Sequence, residues 1–154
     1  LDALLRVGQL RVEPFEVVAR PTIAGSPHFQ QMTWSALEVT GLAPAGGVDR
    51  TGSAPSTACC AFTNVATGGP TTQRNELAVG VLSMRSNDPD VQIAAATGWE
   101  QPHVWQDGQS AGNPHSLVWR IVVAPEVVTH TWTHEVPTRG ASAILATFRG
   151  LDPG

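Results

Sequence analysis

Charged side chains are scarce in this 154-residue chain, since Asp, Glu, Lys and Arg make up only 14% of it, against about 25% in an average soluble domain. Lysine is absent, so all nine basic residues are Arg, and the net charge is −4. A protein that binds nucleic acid through phosphates needs clustered Lys and Arg. We therefore expect no nucleic-acid partner, and the sparsely charged surface is compatible with tight packing between copies of the chain.

Long apolar runs are also missing. No stretch approaches the roughly 20 apolar residues that cross a bilayer as a helix, and the first residues lack the basic region and cleavage site of a signal peptide. We therefore expect no membrane span. The chain begins at Leu1 without an initiator Met, which is compatible with a segment of a longer protein.

Cysteine is limited to the adjacent pair Cys59 and Cys60, and tyrosine is absent. Neighbouring residues of a strand point to opposite faces, so an ordinary disulfide between the two cysteines has poor geometry. We predict two free thiols, with a vicinal or an intermolecular disulfide as the alternatives. Two cysteines cannot form a Cys-rich zinc site.

The strong enzymatic signatures are absent: there is no Gly-x-Ser-x-Gly elbow, P-loop, His-Glu-x-x-His motif or dinucleotide fingerprint. No pair of Glu residues stands out as the acid and base of a glycosidase. We therefore expect a protein without enzymatic activity, cofactor or metal.

Short apolar and β-branched runs separated by Gly, Pro and Asn clusters dominate the chain, and no long helical period is present. The length suits a single core. The pattern predicts an all-β protein, an antiparallel, jelly-roll-like β-sandwich of six or seven strands. The predicted strands cover residues 34–41, 58–65, 76–84, 91–97, 116–123, 127–135 and 142–148, with long loops at 41–55 and 100–114.

The first part of the chain has a different character. Residues 6–13 alternate from Val7 onward, with a bulge predicted at Gly8, and residues 22–30 have the composition of a linker. We therefore predict an extended N-terminal arm and linker over residues 1–30, followed by the sandwich domain over residues 31–150.

Two polar clusters contain residue types that can bind a metal ion, but their spacing argues against a metal site in each case. His130, Trp132 and His134 alternate along a predicted strand, but the two histidines lie about 13 Å apart, too far to share one ion directly. Trp132 is predicted to be a core aromatic. Asp49 and the segment 87–90 offer oxygen ligands of the kind calcium prefers, but their spacing matches no EF-hand, so a turn is predicted at 87–90.

The predicted loop 100–114, with the tryptophan just before it, is a candidate binding edge. It combines aromatic and polar side chains, a composition found where loops contact sugars or protein partners. The alternative is that Trp105 folds back to cap the sandwich. The candidate binding residues are Trp99, His103, Trp105 and Asp107.

Six motifs occur in a recurrent order: WSALEVTGL at 34–42, NELAVGV at 75–81, TGW at 97–99, LVWRIV at 117–122, TWT at 131–133 and AILATFR at 143–149. Together they resemble a jelly-roll-like β-sandwich found in bacterial surface and bacteriophage proteins. The segment RVGQLRVE at 6–13 is similar to a strand of tail-associated virion proteins.

This resemblance implies a structural or attachment domain of a phage or phage-like particle, such as a fibre, spike or decoration protein, located on the virion or an extracellular surface. It implies partners among other virion or surface-assembly subunits and a homo-oligomer, with cell-surface glycan as a further possible partner. Two alternatives stay open. One is a carbohydrate-binding module that uses Trp99 and Trp105, and the other is an accessory domain of a secreted hydrolase.

Overall fold

The computed structural model describes residues 37, 39, 41–43, 47–57, 61–85, 91–105, 114–134 and 140–150, with the backbone alone at 55–57, 103 and 105. The chain divides into two compact units, one over Leu1–Gly41 and one over Leu42–Gly154. The predicted arm, residues 1–30, and the cysteine pair lie outside the described residues. The proposed boundary at 30/31 therefore stays a prediction.

In its described residues the second unit contains eight strands and no helix. The strands are β1 (Val48–Thr57), β2 (Phe62–Pro70), β3 (Glu76–Arg85), β4 (Ile93–Ala95), β5 (Glu100–Trp105), β6 (His115–Val122), β7 (Val127–His134) and β8 (Gly140–Phe148). One sheet has the order β1-β8-β3-β6-β5 and the other the order β2-β7-β4.

The strands pair in a nested way. β1 pairs with β8, β2 with β7 and β3 with β6, and every pairing is antiparallel. The chain thus passes repeatedly from one sheet to the other, as in double-sheet folds built from Greek keys, which include jelly rolls. The predicted all-β class and antiparallel sandwich are confirmed.

Period-two burial places the core between the two sheets. Along β7, Val128, His130, Trp132 and His134 are buried, and the residues between them are more exposed. Trp132 belongs to the same buried cluster as Leu82 of β3 in the facing sheet. The prediction that Trp132 is a core aromatic is therefore correct, and its histidine neighbours face the same interior.

Two strands formed where long loops were predicted, and both lie at an edge of the five-stranded sheet. β1 begins within the predicted loop 41–55 and ends two residues after it, and β5 falls within the predicted loop 100–114. An edge strand tolerates proline and small polar residues because only one of its sides is hydrogen-bonded. Pro55 and Pro102 lie in these strands, which is why composition suggested loops.

The other predicted strands are found with shifted ends, apart from the first. Residues 34–41 were predicted as a strand, yet Leu37, Val39 and Gly41 lie outside any strand. The turn predicted at 87–90 lies outside the described residues.

Gln101 of β5 connects the two sheets at their edge. Its Nε2 donates to the Ile93 carbonyl at 3.3 Å, and its Oε1 accepts from the Ala95 amide at 3.3 Å. The side-chain amide thereby satisfies backbone groups of β4 that would otherwise face an open edge. Its Nε2 also donates to Ser116 Oγ at 2.8 Å.

A tight turn joins β4 to β5. The Trp99 amide donates to the Ala96 carbonyl at 3.3 Å, and Gly98 has a φ of +84°. A positive φ at the third residue of the turn favours glycine. Gly98 therefore allows the turn that places Trp99 directly before β5.

The backbone of β2 passes close to Gly52 of β1. A Cβ atom at Gly52 would lie 1.8 Å from the Ala66 carbonyl oxygen, a backbone atom that cannot turn aside as a flexible side chain can. We expect Gly52→Ala to lower the free energy of unfolding by about 1–3 kcal/mol, as overpacking does, measured by urea denaturation. Gly68→Ala is the matched control, since its Cβ would meet the Thr51 carbonyl at an ordinary 3.7 Å. Equal urea midpoints for the two variants would contradict the prediction.

Candidate functional site

The five-stranded sheet has two apolar faces. In β3, Ala78, Gly80 and Leu82 point into the sandwich, so Leu77, Val79 and Val81 point to the opposite side by strand alternation. A strand with one solvated face normally alternates apolar with polar residues, whereas a strand covered on both faces is continuously apolar. β3 has the second pattern.

The neighbouring strands continue this outward apolar surface. Val79 lies opposite Trp119 of β6 and Ala146 of β8, and residues that are directly opposite share a face. We call this surface the outer face. It consists of Leu77, Val79 and Val81 of β3, Leu117, Trp119 and Ile121 of β6, and Ile144, Ala146 and Phe148 of β8.

No charged side chain lies among these nine residues. Ile144 is 61% exposed and Ile121 39%, whereas Leu77 and Leu117 are buried. Val48 of β1, which lies opposite Phe148, is 52% exposed. Scattered exposed aliphatic residues are normal, but a contiguous apolar patch usually marks a contact surface.

Exposed hydroxyl residues border the outer face. Thr51 and Ser53 of β1 lie opposite Ala146 and Ile144, and both are exposed. Ser83 of β3 and Ser142 of β8 are paired with each other at one end of the sheet and are also exposed. Two charged residues also border it, because Glu100 of β5 is exposed opposite Trp119 and Arg85 of β3 is exposed opposite Gly140. The outer face thus has an apolar centre and a polar border with one charge of each sign.

A second cluster lies where the two sheets meet, around Trp99. The Arg120 guanidinium carbon is 5.1 Å from the centroid of the Trp99 ring, a cation–π distance, and Arg120 also pairs with Glu126. The ring centroids of Trp99 and His130 are 4.5 Å apart, and those of His130 and Trp132 are 4.2 Å apart. These contacts connect a partly buried surface tryptophan with the core.

His130 is the unusual member of this cluster. It is 2% exposed, and neither ring nitrogen has a hydrogen-bond partner among the described residues. Burial lowers the pKa of His130 to about 4, with the positive charge of Arg120 as a second cause. The imidazole is therefore neutral at pH 7, and its protonation is opposed by both its burial and its neighbour.

The four residues predicted from the sequence are only partly placed. Trp99 is half-buried and packs against the core, and its ring contacts Arg120 and His130. His103 and Trp105 lie in β5, opposite Leu117 and His115, so they are on an edge strand and not in a loop. Asp107 lies outside the described residues. A shared binding site for these four residues stays a prediction.

Sequence reasoning missed the outer face, although a signal was present. The run Leu-Ala-Val-Gly-Val-Leu in β3 is apolar at both odd and even positions, and β6 has the same character around Trp119. In a strand, such a run indicates cover on both faces. The run Leu-Ala-Val-Gly-Val-Leu predicts a strand, but its second apolar face was not predicted.

Asp49 has a structural role. Its carboxylate is buried, accepts bonds from the Thr72 amide at 2.8 Å and the Thr72 hydroxyl at 2.7 Å, and pairs with Arg149 at 2.8 Å. Burial alone raises the pKa of Asp49, but the Thr72 and Arg149 hydrogen bonds, with the charge of Arg50, lower it to about 2 overall. No group of three or more His, Cys, Asp or Glu suited to a metal ion occurs among the described residues.

This network predicts a defined acid sensitivity. Because the folded-state pKa of Asp49 is depressed, its stabilising contribution is present above about pH 4 and is lost as the pH falls towards 2. We expect Asp49→Asn to cost about 1–3 kcal/mol at pH 7, with a smaller difference from wild type at pH 2, measured by urea unfolding. The control, Glu126→Gln, removes an exposed carboxylate and should cost at most about 1 kcal/mol. A pH-independent cost for Asp49→Asn would contradict the assignment.

The described strands thus define a β-sandwich that presents an uncharged apolar face on one side. In comparisons with known proteins, no family model and no curated protein matches the chain. One solved structure similar to it is the tripod (BppUct-A-L) from the baseplate of bacteriophage Tuc2009, with 13% sequence identity, a TM-score of 0.42, and coverage of 89% of this chain and 84% of that chain. Similarity at this level assigns neither a family nor a role to any residue.

A membrane-spanning helix is not found in the described part of the chain, where no helix is both long and apolar enough.

Proposed function

We propose that this chain is a non-enzymatic structural or attachment domain of a bacteriophage or phage-like particle, such as a fibre, spike or decoration protein on the virion surface. The observation that carries the proposal is the outer face, an apolar surface on the side of the sheet opposite the core. A domain that acts alone in water has little use for such a surface, whereas a domain within an assembly buries it against a neighbour.

Two further features support this role. The chain has little charge overall, so repulsion opposes close packing of subunits only weakly. The order of the sequence motifs resembles that of sandwich domains in virion and bacterial surface proteins. Partners of the domain are then other subunits of the particle, and it requires no cofactor.

The proposal is tested on purified particles. Particles from a producing lysate are isolated on a density gradient, and their proteins are identified by mass spectrometry, with an antibody to this chain used for gold labelling in electron microscopy. We expect the chain to co-sediment with particles, and we expect the gold to label the same part of every particle. If the chain is instead found only as a free secreted protein, absent from particles, the proposal is wrong.

Glycan attachment is a finer version of this proposal, and the Trp99 geometry bears on it. A sugar-binding tryptophan offers an open ring face for stacking, but the Trp99 ring already contacts Arg120 and His130. Trp105 is therefore the better residue to test. Binding to a glycan array that survives Trp105→Ala would exclude a site centred on that residue.

A further inference from the structure

We infer that the outer face is the surface on which a second copy of this chain packs, sheet against sheet about a two-fold axis. The inference rests on the proposed function of an assembly domain and names the partner that the apolar face takes. It is carried by three properties of the described residues: the charge of the face, its size and its arrangement.

The charge of the face favours a second copy. The nine residues of the outer face carry no charge, while the chain as a whole has a net charge of −4. Two copies can therefore approach through the centre of this face without placing like charges opposite each other, and the nearest charges, Glu100 and Arg85, are of opposite sign and lie at its border. An uncharged apolar face is also complementary to itself, which an interface with two-fold symmetry requires.

The size of the sheet suits a stable dimer. Five strands spaced by about 4.8 Å give a width of about 24 Å, and strands of nine or ten residues, such as β3 and β8, are about 30 Å long. The sheet therefore covers on the order of 700 Å². A standard interface buries about 800 Å² per partner, so the whole sheet supplies almost all of that area, with the outer face on the three central strands and the border on β1 and β5.

The arrangement of residues is that of an interface. Stable interfaces have an apolar centre that often includes tryptophan, surrounded by a polar rim. The outer face has Trp119 beside Val79 near its centre, and its border includes Thr51 and Ser53. Ile144 and Ile121, on either side of β3, keep enough exposed surface to contact a partner.

The test uses the full chain and measures its mass in solution over a concentration series by sedimentation equilibrium. We expect a dimer for the wild type, and we expect Ile144→Glu to raise the dissociation constant by at least about 30-fold, as at a central contact residue. Val127→Glu is the matched control, because Val127 is also an exposed aliphatic residue, 48% exposed, but lies in β7 of the other sheet. It should leave the dissociation constant unchanged.

Folding is checked separately by circular dichroism and thermal unfolding. If Ile144→Glu does not fold, Ile144→Thr and Ile121→Thr provide the same test with β-branched side chains that suit a strand. A wild type that stays monomeric at every concentration would overturn the inference, as would equal effects of the face and control variants. A trimer would overturn the two-fold arrangement.

The result is separable from the proposed function. If particles contain the chain while the purified chain is monomeric, the outer face has a different occupant and the proposed function stands. If the chain forms the expected dimer but is absent from particles, the inference stands and the proposed function fails.

Discussion

Trp132→Ala should lower the free energy of unfolding by about 3–5 kcal/mol, the usual cost of truncating a buried tryptophan. Trp132 is completely buried, and its indole Nε1 donates a hydrogen bond to Ser116 Oγ at 3.2 Å. Its ring lies over Gly80 of the facing sheet, where a Cβ atom would come within 3.1 Å of the ring. Because Gly80 has no side chain, this position of the facing strand cannot fill the space that the ring leaves.

The measurement is urea denaturation at pH 7, with thermal unfolding as a second readout. For a chain of this length, each kcal/mol corresponds to about 2–4 °C, so the melting temperature should fall by about 6–20 °C. Phe62→Ala is the control: Phe62 is another aromatic residue of the three-stranded sheet, but it is 50% exposed, and its truncation should cost at most about 1 kcal/mol. Similar losses for the two variants would show that Trp132 is not the centre of the core.

Trp132→Phe separates the two contributions of this residue. Phenylalanine keeps an aromatic ring between the sheets but removes the Nε1 donor and leaves a smaller cavity. Ser116 Oγ retains its bond from Gln101 at 2.8 Å, so no polar group is left without a partner by the change. We expect a loss between those of Phe62→Ala and Trp132→Ala.

The parts of the fold that were predictable from the sequence are those whose pattern has a local cause. β7 alternates large and small residues, and this alternation places Trp132 in the core. β3 and β6 are apolar enough to be strands in almost any context. An antiparallel sandwich follows from several such strands separated by turn residues.

The parts that were not predictable depend on contacts between distant residues. β1 is a strand because it pairs with β8, roughly ninety residues away, and its own polar sequence indicates a loop. The same holds for Asp49, whose partners Thr72 and Arg149 are distant in the chain. Sequence spacing carries no signal for contacts of this range.

The loop assigned to His103 and Trp105 was wrong for a related reason. Prediction favoured aromatic and polar residues in a supposed loop, because loops often carry binding residues. His103 and Trp105 instead lie in an edge strand, and the larger apolar surface without an assigned role is the outer face around Val79 and Trp119. An apolar residue in a strand does not by itself indicate a contact surface, because the sequence does not show which face of the strand forms the core.

The two-sided sheet also gives the low charge of the chain a physical meaning. β3, β6 and β8 place residues against the core on one face and present a second apolar surface on the other. Charged side chains at those outward positions would have to be desolvated when the surface is covered, at a cost that pairing seldom fully offsets. A sheet that is buried on both faces therefore has few positions for charged residues.

His130 should make the domain sensitive to mild acid. In the unfolded chain its pKa is about 6.5, and in the folded protein burial and then Arg120 lower it to about 4. Between these values the unfolded state binds more protons than the folded state, so stability rises with pH. Stability should therefore fall as the pH drops from about 6.5 to 4, by about 3 kcal/mol from this residue alone.

His130→Phe should remove this part of the pH dependence. Phenylalanine keeps a flat ring against Trp99 and Trp132 and has no nitrogen to leave without a partner, so stability at pH 7 should change little or rise. If the larger ring proves too bulky, His130→Leu serves the same purpose. Urea unfolding of wild type and variant at pH 7 and pH 4.5 gives a double difference in which the contributions of all other titrating groups cancel.

Arg120→Met supplies the second arm of this test. Removing the positive charge beside His130 takes away one cause of its low pKa, so the loss of stability in acid should become smaller while burial still keeps the pKa below its ordinary value. The methionine side chain keeps an apolar stem against Trp99. If His130→Phe loses stability between pH 7 and 4.5 as steeply as the wild type does, acid acts through other groups, and the buried imidazole is only a packing residue.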